Sequence, residues 1–166
     1  MLTDITLQPR STAAMHLRTS LMRNNRGRRY RSEVKTIWAV DDDRTDRLIV
    51  FQNLQRNFPG ITVRCFATGA ELLDAMAQGE PPSLVLLDIG LPDIDGLTVL
   101  KRLRLQLRER NAPVSHVIML TGRDLEDVEA ECREAGALTV LSKNACENDQ
   151  SHLIASVEMI LQLRRG

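Results

Sequence analysis

Aromatic side chains make up only 3% of this chain, so leucine, isoleucine, valine, alanine and methionine must fill any core it builds. The three cysteines, Cys65, Cys132 and Cys146, are widely spaced and odd in number. They match neither a disulfide framework nor a metal-ligand pattern, and read as reduced thiols of a cytoplasmic protein. No apolar run approaches the roughly 20 residues that span a bilayer. The N-terminus also lacks the continuous apolar stretch of a secretory signal. A glycine-rich phosphate loop closing on Lys and Ser/Thr is missing, which argues against nucleotide hydrolysis of that kind. Asp93-Ile94-Asp95-Gly96 suggests a calcium loop only briefly. With Gly96 in the loop's sixth place, Leu91 and Arg102 would take its first and twelfth, and neither is a ligand.

What is present is one domain's worth of sequence, 166 residues with 43% hydrophobic content. Formal charge is zero but unevenly spread. Residues 1–35 carry eight Lys/Arg against two acids, a net of +6, which leaves −6 for residues 36–166. The expected organisation is therefore a basic, disordered extension over residues 1–35 and a globular domain over residues 36–166.

From Thr36 onward two periodicities alternate. Thr36–Val40, Ile61–Phe66, Leu84–Leu87, Val114–Leu120 and Leu138–Leu141 are short apolar runs suited to strands buried on both faces. Helical segments separate them. Thr68-Gly69-Ala70-Glu71 forms a capping box ahead of Leu72, Leu73 and Met76. Asp124 is placed to cap a helix ending near Gly136, with Asp127 reaching back from its first turn. Leu153, Val157, Ile160 and Leu161 give the last helix one apolar face. Alternating strands and helices predict an α/β fold, a five-stranded parallel sheet of order 2-1-3-4-5 with helices on both faces.

In that topology four polar sites fall at the carboxyl ends of strands: Asp41-Asp42-Asp43, Asp88, Thr121 and Lys143. Asp41, Asp42 and Asp88 would crowd negative charge on one rim, a repulsion that a hard divalent ion such as Mg²⁺ relieves. One oxygen of Asp88 would bind the metal while the other attacks phosphorus, giving an acyl phosphate. Lys143 would supply positive charge and Thr121 a short hydroxyl donor to the phosphoryl group. Asp43 suits the N-cap of the first helix.

These residues resemble the receiver domain of bacterial two-component response regulators. Trp38-Ala39-Val40-Asp41-Asp42-Asp43, Leu86-Leu87-Asp88-Ile89-Gly90-Leu91-Pro92-Asp93-Ile94-Asp95-Gly96, Met119-Leu120-Thr121-Gly122 and Leu141-Ser142-Lys143 carry the resemblance, which covers about residues 36–163. It implies that Asp88 is the phosphoacceptor and that Asp41 and Asp42 bind Mg²⁺, with the Gly90 backbone carbonyl as a further ligand. Thr121 and Lys143 would be the switch hydroxyl and the phosphate-binding lysine. The phosphoryl donor would be a sensor histidine kinase or a phosphotransfer protein. Output would pass through protein–protein contacts around the fourth and fifth helices and the fifth strand, to a downstream protein the sequence does not name. Such a domain is a switch, not an enzyme, with slow autodephosphorylation at most. Gly90 and Arg123, two residues beyond Asp88 and Thr121, stand where the family tunes hydrolysis of the acyl phosphate.

Two positions depart from the family pattern. Val140 replaces the usual aromatic three residues before the lysine, and Asn144 replaces the proline after it, so a trans or reshaped loop is expected there. They motivate an alternative, a degenerate receiver acting as a scaffold without phosphorylation. A Mg²⁺-dependent aspartyl phosphohydrolase is a further alternative, weakened because Gly90 stands where its second carboxylate would be. No effector domain follows Leu163-Arg164-Arg165-Gly166, so a stand-alone receiver with no appended DNA-binding domain is expected. Arg23, Arg26, Arg28, Arg29 and Arg31 make the tail a solvated extension, an upstream start ahead of Met15 or Met22, or a basic arm for nucleic acid or an anionic surface. The helix after Gly96 is also basic, through Lys101, Arg102, Arg104, Arg108 and Arg110.

Overall fold

A computed structural model describes residues 36–143 and 151–163. The Arg-rich tail, Asn144, Cys146 and residues 164–166 lie outside the described residues. Among the described residues ten elements alternate: β1 (Thr36–Val40), α1 (Arg44–Asn57), β2 (Thr62–Phe66), α2 (Gly69–Gln78), β3 (Leu84–Asp88), α3 (Gly96–Glu109), β4 (His116–Thr121), α4 (Leu125–Glu134), β5 (Thr139–Ser142) and α5 (Ser151–Leu163). The strands form one parallel sheet in the order β2-β1-β3-β4-β5. The expected fold and strand order are both found.

Strand alternation sorts side chains into two cores. Trp38 and Val40 of β1 join Val85, Leu87, Val117 and Met119 beneath α2, α3 and α4, where Leu72, Met76, Leu100, Leu103, Val128 and Cys132 are buried. Ile37 and Ala39 point the other way, with Leu84, Leu86 and Ile118, onto Leu54 of α1 and Leu153, Val157 and Ile160 of α5. The aliphatic composition is thus used as expected, and two of the few aromatics pair. Trp38 packs on Phe66 with ring centroids 5.1 Å apart, and the Arg64 guanidinium lies 5.0 Å from both rings.

Boundaries differ slightly from expectation. β4 starts at His116, opposite Leu84, the first residue of β3, so Val114 falls outside the sheet and is exposed. Asp88 and Thr121 are the last residues of their strands, as expected. Asp124 occupies the N-cap of α4, yet its side chain makes no capping bond. The Asp127 N–H instead bonds the Asp124 carbonyl at 3.3 Å, so a backbone turn starts this helix.

The start of α2 is fully satisfied, by a longer-range device than its capping box. Thr68 Oγ1 accepts from Glu71 N–H at 3.2 Å, and Glu71 reaches back to Ala67 N–H at 2.8 Å. Asp93, in the loop after β3, accepts from Gly69 and Ala70 N–H at 3.0 and 2.9 Å. Slight burial works against the charged form of Asp93, but these N–H donors outweigh it and hold the carboxyl below the usual range. Asp93→Ala is expected to destabilise the fold by about 1 kcal/mol in urea unfolding, the usual cost of a lost cap. A depressed folded pKa gives stability that is present above the ordinary value of 3.8 and lost as pH falls through the lower folded value. The gap between wild type and variant should therefore close on acidification below the ordinary value.

Candidate functional site

The carboxyl ends of the strands bring the charged residues together. Asp41 follows β1 directly and stays in the sheet, its N–H bonding the Phe66 carbonyl at 3.2 Å. Asp88 ends β3 opposite Leu120 of β4, and Lys143 follows β5. Asp41 and Asp88 are 3% and 4% exposed, deep enough for an uncompensated charge to be costly. Compensation comes from across the sheet: Lys143 Nζ lies 2.7 Å from Asp41 Oδ2 and 2.7 Å from Asp88 Oδ2. A third carboxylate, Asp46 of α1, stands 3.4 Å from the same ammonium. Exposed Asp42 completes the cluster, with one oxygen each of Asp41, Asp42 and Asp88 inside a 4.8 Å span.

Burial is the largest influence on both partners. It would lower the Lys143 pKa, but contacts with Asp41 and Asp88 overcome it and hold the ammonium well above its ordinary value. Burial pushes the Asp41 carboxyl up, Asp88's charge pushes the same way, and the Lys143 contact does not fully offset them. With Asp42 and Asp46 beside Asp41 and Asp88, the rim sets four carboxyl groups against one lysine.

These residues fit a hard divalent cation. Oxygens sharing a Mg²⁺ at about 2.1 Å lie at most about 4.2 Å apart, so the cluster needs only a small contraction. Asp41 Oδ2 is buried and, though close to Lys143, receives no directed hydrogen bond. The opposite carboxylate oxygens are already held by the backbone: Asp41 Oδ1 by Asp43 N–H at 2.9 Å, Asp88 Oδ1 by Gly90 N–H at 3.0 Å.

Thr121 is wholly buried at the end of β4, and its Oγ1 accepts from Arg123 N–H at 2.9 Å. Among the described residues no hydrogen bond joins it to Asp88; it shares the rim but not the charged cluster. Gly90 lies beside Asp88 through its amide. Asp43 caps α1, as expected, accepting from Thr45 and Asp46 N–H at 2.6 and 3.2 Å. Two residues of α1 were not foreseen. Besides Asp46, Arg47 donates to the Asp41 and Asp42 carbonyls at 2.5 and 2.8 Å and so fixes the acidic loop. Their signal was the Asp43 cap itself, which puts the first turn of α1 on this rim.

Gly96 supports Asp88 from below. A Cβ there would sit 2.1 Å from the Asp88 carbonyl oxygen and 2.7 Å from Ile89 Cα. Helix α3 thus begins in contact with the backbone that carries Asp88, and its first N–H bonds the Ile89 carbonyl at 2.9 Å.

The chain matches the response regulator receiver domain family over residues 37–158. It belongs to that family. The transcriptional regulator NtrC of Escherichia coli is 35% identical over 107 residues, 64% of this chain and 21% of NtrC, so the chain spans about a fifth of that relative. A CheY-like receiver domain from Methanospirillum hungatei is 30% identical, with a TM-score of 0.62 over 81% of this chain and all of its own. The DrrB receiver domain, described as activated by BeF3, is 27% identical, with a TM-score of 0.64 over 78% of this chain and 99% of its own. Receivers are phosphoacceptor switch domains of two-component signalling, and they bind Mg²⁺ in an acidic pocket at the rim where this cluster lies.

Two measurements test this geometry. Gly96→Ala must displace backbone, and is expected to cost about 1–3 kcal/mol in denaturant unfolding, the usual penalty for overpacking. Lys143→Ala removes a cation about one contact distance from the carboxylates, where repulsion of a second cation is strong. Calorimetric titration should show Mg²⁺ binding about tenfold tighter in that variant, a change of ~1.4 kcal/mol.

Proposed function

We propose that this receiver accepts a phosphoryl group on Asp88 and passes the signal on through protein–protein contacts. The observation that carries the reading is the Lys143 ammonium held between Asp41 and Asp88, with Asp42 beside them. A buried carboxylate needs such neighbours to act as a nucleophile toward a phosphoryl group bearing negative charge.

In the proposed reaction an Asp88 carboxylate oxygen attacks phosphorus of a phosphohistidine on a sensor kinase or phosphotransfer protein. The O–P bond forms, the N–P bond breaks, and the imidazole keeps the electron pair. Asp41, Asp42, Asp88 and the Gly90 carbonyl would hold Mg²⁺, which supplies positive charge opposite the phosphoryl oxygens. Lys143 would exchange its carboxylate contact for a phosphoryl oxygen. Thr121 would turn its hydroxyl toward the same group, releasing the Arg123 amide it now accepts from, and so link the chemistry to the start of α4. Water attacking the acyl phosphate would return the carboxylate and inorganic phosphate, with Arg123 the side chain nearest in sequence to that path. The proposal takes residues 36–166 as the switch, residues 1–35 as a basic extension, and the cytoplasm as its location. Among the described residues no helix is long and apolar enough to cross a membrane.

One observation favours a second reading, a scaffold that docks partners without phosphorylation. Val140 is buried in β5 and is too short to swing outward as an aromatic would. Intact mass after incubation of the full chain with acetyl phosphate and Mg²⁺ separates the two. Gain of one phosphoryl group, absent in Asp88→Asn and without the metal, is expected. A folded, Mg²⁺-binding protein that gains none overturns the phosphoacceptor reading in favour of the scaffold.

A further inference from the structure

Asp46 is the one acid beside Lys143 that the metal reading leaves without a task. It stands in the first turn of α1, where the Asp43 carboxylate accepts from its backbone N–H at 3.2 Å. Its side chain turns to Lys143, and Oδ2 accepts from the ammonium at 3.4 Å. Among the described residues that side chain has no other hydrogen-bond or ion-pair partner. The same ammonium lies 2.7 Å from Asp41 Oδ2 and 2.7 Å from Asp88 Oδ2, so Asp46 is its longest carboxylate contact.

The three carboxylates differ in what else they can hold. Asp41 and Asp88 join Asp42 in a set of oxygens within 4.8 Å of one another, the set that suits a hard divalent cation. Asp46 stands outside that set. On Asp41 and Asp88 the Oδ1 atoms accept from the Asp43 and Gly90 N–H groups, which leaves the Oδ2 atoms for a cation. Those are the two oxygens that Lys143 now contacts. A divalent cation there and an ammonium still at contact distance would repel strongly, so the ammonium must give ground. The lysine has a flexible four-carbon stem and rotatable donors, and can do so without moving backbone. Asp46 is already bonded to it. That 3.4 Å contact is longer than the roughly 2.8 Å of a full charge-assisted hydrogen bond, so it has room to tighten.

We infer that Asp46 is a positioning residue for Lys143: it retains the ammonium when a divalent cation takes Asp41 and Asp88. The inference rests on the reading above that Asp41, Asp42 and Asp88 hold the metal. Retention does two things. It draws one positive charge away from the other, which favours filling of the acidic cluster. It also keeps Lys143 on the rim beside Asp88, where the proposed phosphoryl group would meet it.

A double-mutant cycle read by calorimetric Mg²⁺ titration of the full chain tests the inference. Ionic strength is held at about 0.15 M to screen the direct attraction of Asp46, whose side chain is 26% exposed. Asp46→Asn keeps the shape and removes the charge, and should weaken Mg²⁺ binding about tenfold. In a Lys143→Ala background no ammonium remains to be retained, and the same substitution should cost no more than about twofold. Circular dichroism verifies that every variant folds. An equal loss in both backgrounds overturns the inference, since Asp46 then acts on the cation directly. Unchanged or tighter binding in Asp46→Asn alone overturns it as well. Failure of the metal reading looks different: wild type takes up no Mg²⁺, or uptake survives Asp41→Asn combined with Asp42→Asn, and the inference falls with it.

Discussion

One ammonium group holds three strand ends in register. Lys143, just after the edge strand β5, contacts Asp88 at the end of β3 and Asp41 just after β1. It is the cation that faces two carboxylates less than 5% exposed, where an unpaired charge is costly. The arrangement is internally opposed. The contacts that settle the site also place a positive charge beside the acidic cluster, so any cation entering it competes with the lysine.

The scaffold around this contact is built to hold backbone still. Asp93 fastens the loop after β3 to the first turn of α2, and Gly96 lets α3 start in contact with the Asp88 carbonyl. Arg47 does the same for the acidic loop by binding two successive carbonyls. Asp88 and its neighbours thus sit on short, doubly tied segments. Such preorganisation matters most in phosphoryl transfer, where positioning and charge do most of what the protein contributes.

Much of this was legible in the sequence because it rests on local pattern. Apolar runs such as Leu84–Leu87, each ending in a polar residue, gave the strands, and right-handed crossovers then set their order. Strand order alone put Asp41, Asp88, Thr121 and Lys143 on one rim. Side-chain reach was not legible. Asp93 bonds residues 23 and 24 positions away, and Asp46 meets Lys143 across 97, separations that carry no periodic signal. Asp124 shows the opposite failure. Its local pattern favours a cap, but the backbone carbonyl of the same residue takes that role. Thr121 also illustrates the limit: strand order predicts its height on the sheet, not the rotamer that ties its hydroxyl to Arg123.

The close approach of Gly96 to Asp88 makes α3 a lever resting on the peptide unit of Asp88. Packing this tight transmits displacement because it has no slack to absorb it. Any ligand that shifts the Asp88 backbone must then shift that helix, and a partner that holds the helix must bias the site in return. Thermodynamic linkage makes the two effects equal in free energy. Occupancy of the rim and the position of α3 are therefore one coupled equilibrium.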